Sequence, residues 1–529
     1  MLVHSLLEQT SRRYPDKPAV WYRDQWMSYG EIETQASQVA QFLISQGLQR
    51  GERVTLLMEN SFTFITSYFG ILKAGGVVVG LNTEITSEDL EYLVHNSEAR
   101  FLLINKERLR LYEPVKERLP SLHTVVVSDD ASHFSPSADD KGEVPASLVS
   151  NATGIISFQS ILKEYSGAAH DGSTTPAAGR PIDIDLAEIV YTSGSTGVPK
   201  GVMLSHLNLT SNMQSIAEYL HLCPDDRIMV ILPFTYIYGK SLLLTHFLIG
   251  GSLVIDNRFV YPNKILQTME QTNVTGFAGV PSTFSILLNR SSLKNYTFPS
   301  LRYVTQAGGH MAPALQKEVV EAFYPAMLYV MYGATEAAPR LSYLEPSMLL
   351  RKLGSIGTPV PNVDLFVADE EGKQVPVGQE GEIVARGSNI MQGYWKDPKG
   401  TSEVLKHGLY FTGDLGTQDE EGYLYVVGRK KNIIKVKGFR VSAKEIEERI
   451  LEIEGVVETA VIGVPDEVLG EAVKAFIVAR EGAQLTQQTV LASLKPHLSS
   501  YKLPKQIEFR GSLPKNKSGK IMKTALSEK

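Results

Sequence analysis

The residues best equipped for chemistry begin with IVYTSGSTGVPKGVMLSH at 189–206. An apolar strand runs into Tyr191, Thr192, Ser193, Gly194, Ser195, Thr196, Gly197, Val198, Pro199, Lys200 and Gly201. Backbone amides in such a loop can converge on an oxyanion, Ser and Thr add hydroxyl donors, and Lys200 adds a charge, so the segment reads as a phosphate loop. It is not a Walker A loop, because G-x-x-x-x-G-K-[ST] cannot be matched there. At the tempting Gly239-Lys240-Ser241, Phe234 stands where the first glycine should be. Two carboxylates stand out further on. Glu336 follows Tyr332, Gly333, Ala334 and Thr335, and Asp414 closes a Thr-Gly-Asp turn behind an aromatic strand. Read alone, Glu336 is a helix-starting acid near a dipole and Asp414 a turn aspartate. Lys520 ends the run PKNKSGK at 514–520, where lysines are ordinarily solvated charge.

Composition narrows the classes. Lys and Arg total 52 against 58 Asp and Glu, a net charge of −6, which does not suit a nucleic-acid footprint. One cysteine, Cys223, excludes an internal disulfide framework and any CxxC metal or redox site. The start, MLVHSLLEQTSRRYPDKPAV, lacks the n- and h-regions of a signal peptide, and no apolar run reaches the roughly 20 residues of a membrane span. The expectation is a cytoplasmic protein with no membrane span and no nucleic-acid partner. A chain of 529 residues should hold two or three domains.

The elements that must position these residues show as alternating periodicities. Residues 29–48 place Ile32, Ala36, Val39, Ala40 and Leu43 on one helical face, ending at Gly47. Strands are expected at 53–58, 77–79 and 101–104, with a helix at 62–74 between the first two. That alternation argues for α/β layers with buried, mostly parallel strands. Residues 128–181, rich in Ser, Asp, Ala, Gly and Pro, read as a flexible surface excursion with a short helical piece near 158–164. Alternation resumes at 182 and runs to about 337, followed by a β-rich module. The last hundred residues predict a compact unit with helices at 443–451 and 487–498 and strands at 456–463 and 472–478. A basic, turn-prone stretch at 428–431 marks the boundary. The expected fold is therefore α/β, with a large domain at 1–430 made of layered α/β subdomains plus the β-rich module, and a small α/β domain at 431–529.

An unbroken TSGSTGxPKG resembles the signature loop of the adenylate-forming superfamily, which includes acyl-CoA synthetases, aryl-CoA ligases, luciferases and nonribosomal peptide synthetase adenylation domains. Further motifs agree in order: LKAGGVVVGLN at 72–82, YGATE at 332–336, YFTGD at 410–414, GRKK at 428–431 followed by IIKVKGFRV, and PKNKSGK at 514–520. The resemblance covers the chain except 128–181.

It implies activation of a carboxylic acid to acyl-AMP with release of pyrophosphate, then transfer to the thiol of CoA. The transition state spreads charge over phosphoryl oxygens, which calls for Mg²⁺, cationic side chains and amide donors. By the resemblance, Thr192, Ser193, Gly194, Ser195, Thr196, Gly197 and Lys200 hold the β- and γ-phosphates of ATP. Glu336 ligates Mg²⁺, Thr335 donates to the α-phosphate, and Tyr332, beside Gly333 and Ala334, stacks on adenine. Asp414 bridges the ribose hydroxyls with Arg429 bracing the sugar. Gly308, Gly309 and His310 lie beside adenine and the acyl group; His310 and Met311 depart from the small residues and proline usual there. Lys520 is the catalytic lysine of adenylation. The small mobile domain pivots at Lys431, withdrawing Lys520 and presenting the loop of Lys435, Lys437 and Gly438 for the thiol step. Tyr236 and Tyr238 in PFTYIYG are acyl-pocket candidates, and Thr235 after Phe234, where amino-acid-activating relatives carry Asp, argues against an α-amino acid. The alternatives are a ligase loading an acyl carrier protein and a non-catalytic nucleotide-binding pseudoenzyme. Either a monomer or a homodimer is compatible with the sequence.

Overall fold

The computed structural model describes residues 1–129, 154–166, 180–192, 199–430, 433–436, 439–466, 469–515 and 521–527. The protein is α/β and its chain divides into two compact units. The first comprises Met1–Phe277, Ala334–Arg340 and Ser388–Thr401; the second comprises Ala278–Gly333, Leu341–Gly387 and Ser402–Lys529.

The first unit contains an eight-stranded sheet in the order Gly393–Tyr394, Lys200–Ser205, Leu186–Thr192, Val77–Gly80, Arg53–Leu57, Phe101–Asn105, Thr124–Ser128 and Gly154–Ser157. The strands from Leu186–Thr192 to Gly154–Ser157 run parallel, as continuous apolar runs such as VVVG and FLLIN require when both faces are covered. The two pairings at the other edge, through Lys200–Ser205, are antiparallel. Helix Tyr29–Ser45 starts on a Ser28/Glu31 capping box and buries the predicted face. It approaches helix Phe62–Lys73 at Gly70, where an added Cβ would lie 2.7 Å from Val39 Cβ. The excursion expected at 128–181 is interrupted. Gly154–Ser157 adds the edge strand beside Thr124–Ser128, and helix Phe158–Glu164 buries Phe158 and Ile161. Ile155 and Ile156 are too few to give a readable period, so this strand was not anticipated. A second set of strands in the unit, Arg227–Val230, Ser252–Ile255 and Pro18–Tyr22, is parallel, with Gln25–Ser28 folded back as a hairpin.

The second unit holds the parallel pair Tyr303–Gln306 and Met327–Gly333. The β-rich module is a sheet of Val363–Ala368, Gly381–Gly387, Leu409–Gln418 and Leu405–Lys406, with Leu424–Arg429 also paired to Leu409–Gln418. The C-terminal residues form a further sheet, Phe439–Ser442, Ile433–Val436, Gly470–Ala479 and Val456–Asp466, with Gln506–Phe509 parallel to Gly470–Ala479. Helices Ala443–Leu451 and Gln487–Leu494 cover one face, where Ile446, Ile450, Val490 and Leu494 pack on Ile434, Val461, Ala475 and Ile477. No helix among the described residues is long and apolar enough to cross a membrane.

Candidate active site

The glycine-rich loop leaves and re-enters one antiparallel pair. Thr192, the last residue of its strand, stands opposite Lys200, the first residue of the next, and its Oγ1 donates to the Lys200 carbonyl at 3.5 Å. Ser193, Gly194, Ser195, Thr196 and Gly197 lie outside the described residues. At Gly201, an added Cβ would lie 2.8 Å from Ile189 Cγ2, so only glycine keeps the pair closed at the loop mouth. Lys200 Nζ sits 3.1 Å from Asp397 Oδ2 and 4.7 Å from the centre of the Tyr394 ring. Asp397 also accepts the Gly400 amide at 2.7 Å. That bond first, and Lys200 second, hold its carboxyl below the usual carboxylate range.

Tyr394 has a second contact, because its hydroxyl donates to Glu336 Oε1 at 2.8 Å. Thr335 and Glu336 occupy the short 3₁₀ turn Thr335–Ala337, entered from Ala334 in extended conformation. The turn is fixed by buried Asn389, whose Nδ2 donates to Ala337 O at 2.9 Å, and by the Met391 amide, which donates to Glu336 O at 2.8 Å. Lys200 and Glu336 therefore meet at one tyrosine. Neither Tyr394 nor Asp397 was singled out from the sequence. The run GYWKD at 393–397 is aromatic and charged, but nothing in its spacing ties it to Lys200 or Glu336.

A second cluster gathers around Asp414 in strand Leu409–Gln418. Tyr332, near the end of Met327–Gly333, donates its hydroxyl to Asp414 Oδ2 at 2.6 Å. Arg429, opposite Asp414 in the strand register, places Nε 2.8 Å from Oδ1. Asp414 is buried while the Arg429 side chain is 53% exposed. Burial, reinforced by Asp414, pushes the Tyr332 phenol far above its ordinary value, so it is a fixed donor. The motifs YGATE and YFTGD are thus joined by one hydrogen bond, which no spacing could announce.

The other expected residues fall elsewhere. Gly308 takes φ +81° just after Tyr303–Gln306, and Gly309 O accepts from Gln306 Nε2 at 2.7 Å. His310 Nε2 lies 2.6 Å from Glu448 Oε1 on helix Ala443–Leu451. Desolvation holds this imidazole below its ordinary value against the pull of Glu448. Tyr236 precedes helix Ile237–Ile249, and its ring meets that of Tyr238 edge-on at 6.4 Å. Burial raises the Tyr236 phenol, and nearby Arg340 partly offsets the rise. Lys435 lies on Ile433–Val436, which pairs with Phe439–Ser442. Lys431, Lys437, Gly438 and Lys520 lie outside the described residues.

Two carboxylates stand in this cluster, Asp397 paired with Lys200 and Glu336 held by the Tyr394 hydroxyl. Among the described residues there is no group of three or more metal-type side chains; Glu336 is a single carboxylate that could hold an ion together with phosphate oxygens. That donor set fits Mg²⁺, a hard cation usually held by one or two carboxylates plus substrate phosphates.

Comparison with known proteins bears on the chain as a whole. The family model described as AMP-binding enzyme matches residues 7–395, and that of the AMP-binding enzyme C-terminal domain matches 445–520. A long-chain-fatty-acid–CoA ligase of Bacillus subtilis (strain 168) is 32% identical, covering 99% of this chain and 94% of its own. Among solved structures, the anthranilate CoA ligase AuaEII in complex with anthranoyl-AMP matches with a TM-score of 0.87 at 27% identity, covering 99% of this chain and 96% of that one. ATP-bound MatB from Rhodopseudomonas palustris matches at 0.84 and 29% identity, covering 100% and 99%.

Proposed function

This chain belongs to the AMP-binding enzyme family, and on that premise we propose how its residues divide the work of activating a carboxylic acid. The chain is an AMP-forming acid–thiol ligase of the acyl-CoA synthetase type, with ATP and CoA as co-substrates. A carboxylate oxygen attacks the α-phosphorus of ATP and the bond to pyrophosphate breaks, leaving acyl-AMP. The thiol sulfur of CoA then bonds to the acyl carbon, the bond to AMP breaks, and the thiol proton passes to solvent.

Lys200 and the loop from Thr192 hold the β- and γ-phosphates, and Asp397 and Tyr394 fix the position of that lysine. Thr335 donates to the α-phosphate. Glu336, oriented by Tyr394, would hold Mg²⁺, which would supply positive charge beside the phosphate oxygens. Asp414 receives the ribose hydroxyls, with Tyr332 and Arg429 setting its oxygens, and Gly308 and Gly309 leave room beside the base. Lys520 acts in adenylation alone, and the segment after Lys431 turns between half-reactions. The proposed boundary at 430/431 lies in the interval between the two matched regions. The observation that carries these assignments is the meeting of Lys200 and Glu336 at Tyr394, which gathers a cation and a hard carboxylate where a phosphate chain needs both.

The test is pyrophosphate release from ATP across a panel of carboxylic acids, with and without CoA. Acid-dependent release, followed by AMP and thioester formation only when CoA is added, is the expected result. Turnover with a pantetheine-bearing carrier protein but not with CoA would reassign the acceptor. ATP consumption independent of any acid would overturn the ligase reading.

A further inference from the structure

Two large cations of the first unit are fully buried, and they are treated differently. Lys240, the lysine of the false Walker motif, places Nζ 2.5 Å from Glu188 Oε1 and 4.1 Å from the Tyr68 ring. Tyr68 also donates to Glu188 Oε2 at 3.3 Å. Lys240 therefore has a carboxylate partner, and both oxygens of Glu188 are engaged. Arg340 is 2% exposed, and no carboxylate among the described residues pairs with it. Its Nε is buried without a hydrogen-bond partner, and among the described residues its guanidinium makes no ion pair or hydrogen bond. Its guanidinium lies over the face of Tyr238, 5.0 Å from the ring centre, and near the Tyr236 phenol.

Such a group is costly to bury, and it cannot escape the cost by losing its proton, because a guanidinium stays charged in proteins. The backbone nevertheless holds it firmly. Buried Asn212 accepts the Arg340 amide through Oδ1 at 2.8 Å and donates Nδ2 to its carbonyl at 2.8 Å, and Asn389 Nδ2 adds a bond to the same carbonyl at 3.0 Å. The fold fixes a bare, planar, five-donor cation beside Tyr238, four residues after Glu336. A cation prepared in this way is built for an anion that arrives with the ligand.

We propose that Arg340 is a specificity-determining residue that receives a second acidic group carried by the carboxylic acid being activated. The inference rests on the ligase reading and on Tyr236 and Tyr238 lining the acyl pocket, and it deepens that reading by naming the substrate class. The acid has one carboxylate for adenylation and another anionic group further along, seated against Arg340 and the Tyr238 face. An unsubstituted hydrocarbon chain would leave the guanidinium unpaired in the complex.

The test compares acids matched in carbon number with and without a second carboxylate: butanoate with succinate, hexanoate with adipate, decanoate with sebacate. The readout is kcat/KM for pyrophosphate release. Wild type should favour the diacid in at least one pair by about 30-fold, the size of one charged hydrogen bond. In Arg340→Met that preference should collapse to within about 3-fold, chiefly through loss of the diacid, while Arg340→Lys keeps part of it. Preference for the monoacid in every pair, or an equal loss for both acids in Arg340→Met, overturns the proposal. Thermal shift with the diacids provides a reading independent of turnover. A rise in Tm with a diacid that is absent in Arg340→Met and weaker in Arg340→Lys supports the site, and no rise with any diacid refutes it. If no acid of either series releases pyrophosphate, the activated acid lies outside both series, the ligase reading being judged by the wider acid panel, and the thermal shift still decides the fate of Arg340.

Discussion

Replacing Asp414 with alanine removes a buried carboxylate whose two oxygens are each held by one protein donor, Tyr332 at 2.6 Å and Arg429 at 2.8 Å. A carboxylate offers about four lone-pair sites, so roughly two remain for a ligand, the number that two ribose hydroxyls need. The tyrosine bond is charge-assisted and buried, worth about 1.5–3 kcal/mol. The arginine partner is 53% exposed, and its share falls to about 0–1 kcal/mol. Asp414→Ala and Tyr332→Phe should therefore each lower stability by about 2 kcal/mol, and Arg429→Ala by less than about 1 kcal/mol. Nucleotide selectivity should separate the first two. A carboxylate bond to the 2′-hydroxyl is worth about 1.5 kcal/mol, so wild type should favour ATP over dATP by about tenfold in kcat/KM. Asp414→Ala should bring that ratio to within about twofold, whereas Tyr332→Phe keeps most of it because the carboxylate remains. The assay is pyrophosphate release at limiting nucleotide, with urea unfolding run on the same proteins. If Asp414→Ala loses the same factor with both nucleotides, Asp414 does not read the ribose. If Tyr332→Phe is as stable as wild type, the hydrogen-bond accounting is wrong.

Gly400→Ala would put a Cβ 2.1 Å from Asp397 Oδ2 and 2.6 Å from Lys200 Nζ, displacing two flexible side-chain ends; the KM for ATP should rise at least about threefold with little change in Tm, and an unchanged KM would remove Asp397 from the phosphate site. Lys520→Ala should slow acyl-AMP formation by ~10²-fold or more while thioester formation from synthetic acyl-AMP survives, and equal loss in both half-reactions would contradict the two-pose assignment. Lys431→Pro, which fixes φ near roughly −65°, should accumulate acyl-AMP trappable by hydroxylamine while thioester synthesis stalls, and normal thioester synthesis would argue against the pivot. Burial lowers His4 and His246 to about 4 and His206 to about 3. The unfolded chain then binds more protons below pH ~6.5, so stability should fall as pH drops from 6.5 towards 4, by about 2 kcal/mol per histidine at pH 5. A Tm that stays level between pH 7 and 5 would contradict this, and His246→Gln should flatten the slope.

Local pattern carried much of this protein into the sequence. The helix at Ala443–Leu451 and the start of Tyr29–Ser45 follow from a 3.6-residue apolar stripe bounded by a cap, and the parallel strands from short runs of Val, Ile and Leu. These depend on neighbours a few residues away, so the chain states them directly. The residues of each motif were legible for a similar reason: a glycine-rich phosphate loop needs its residues consecutive. Tertiary structure decided the pairings. Tyr394 orients Glu336 and supports Lys200, Tyr332 meets Asp414, and His310 meets Glu448 through contacts between residues far apart in the chain. Lys240 and Arg340 make the same point most sharply. The sequence shows two basic residues in apolar surroundings, and only the fold reveals that Glu188 reaches one and that no described carboxylate reaches the other. Whether a buried charge is a closed pair or an open binding group depends on a partner a few ångströms away in space, and separation along the chain does not encode that distance.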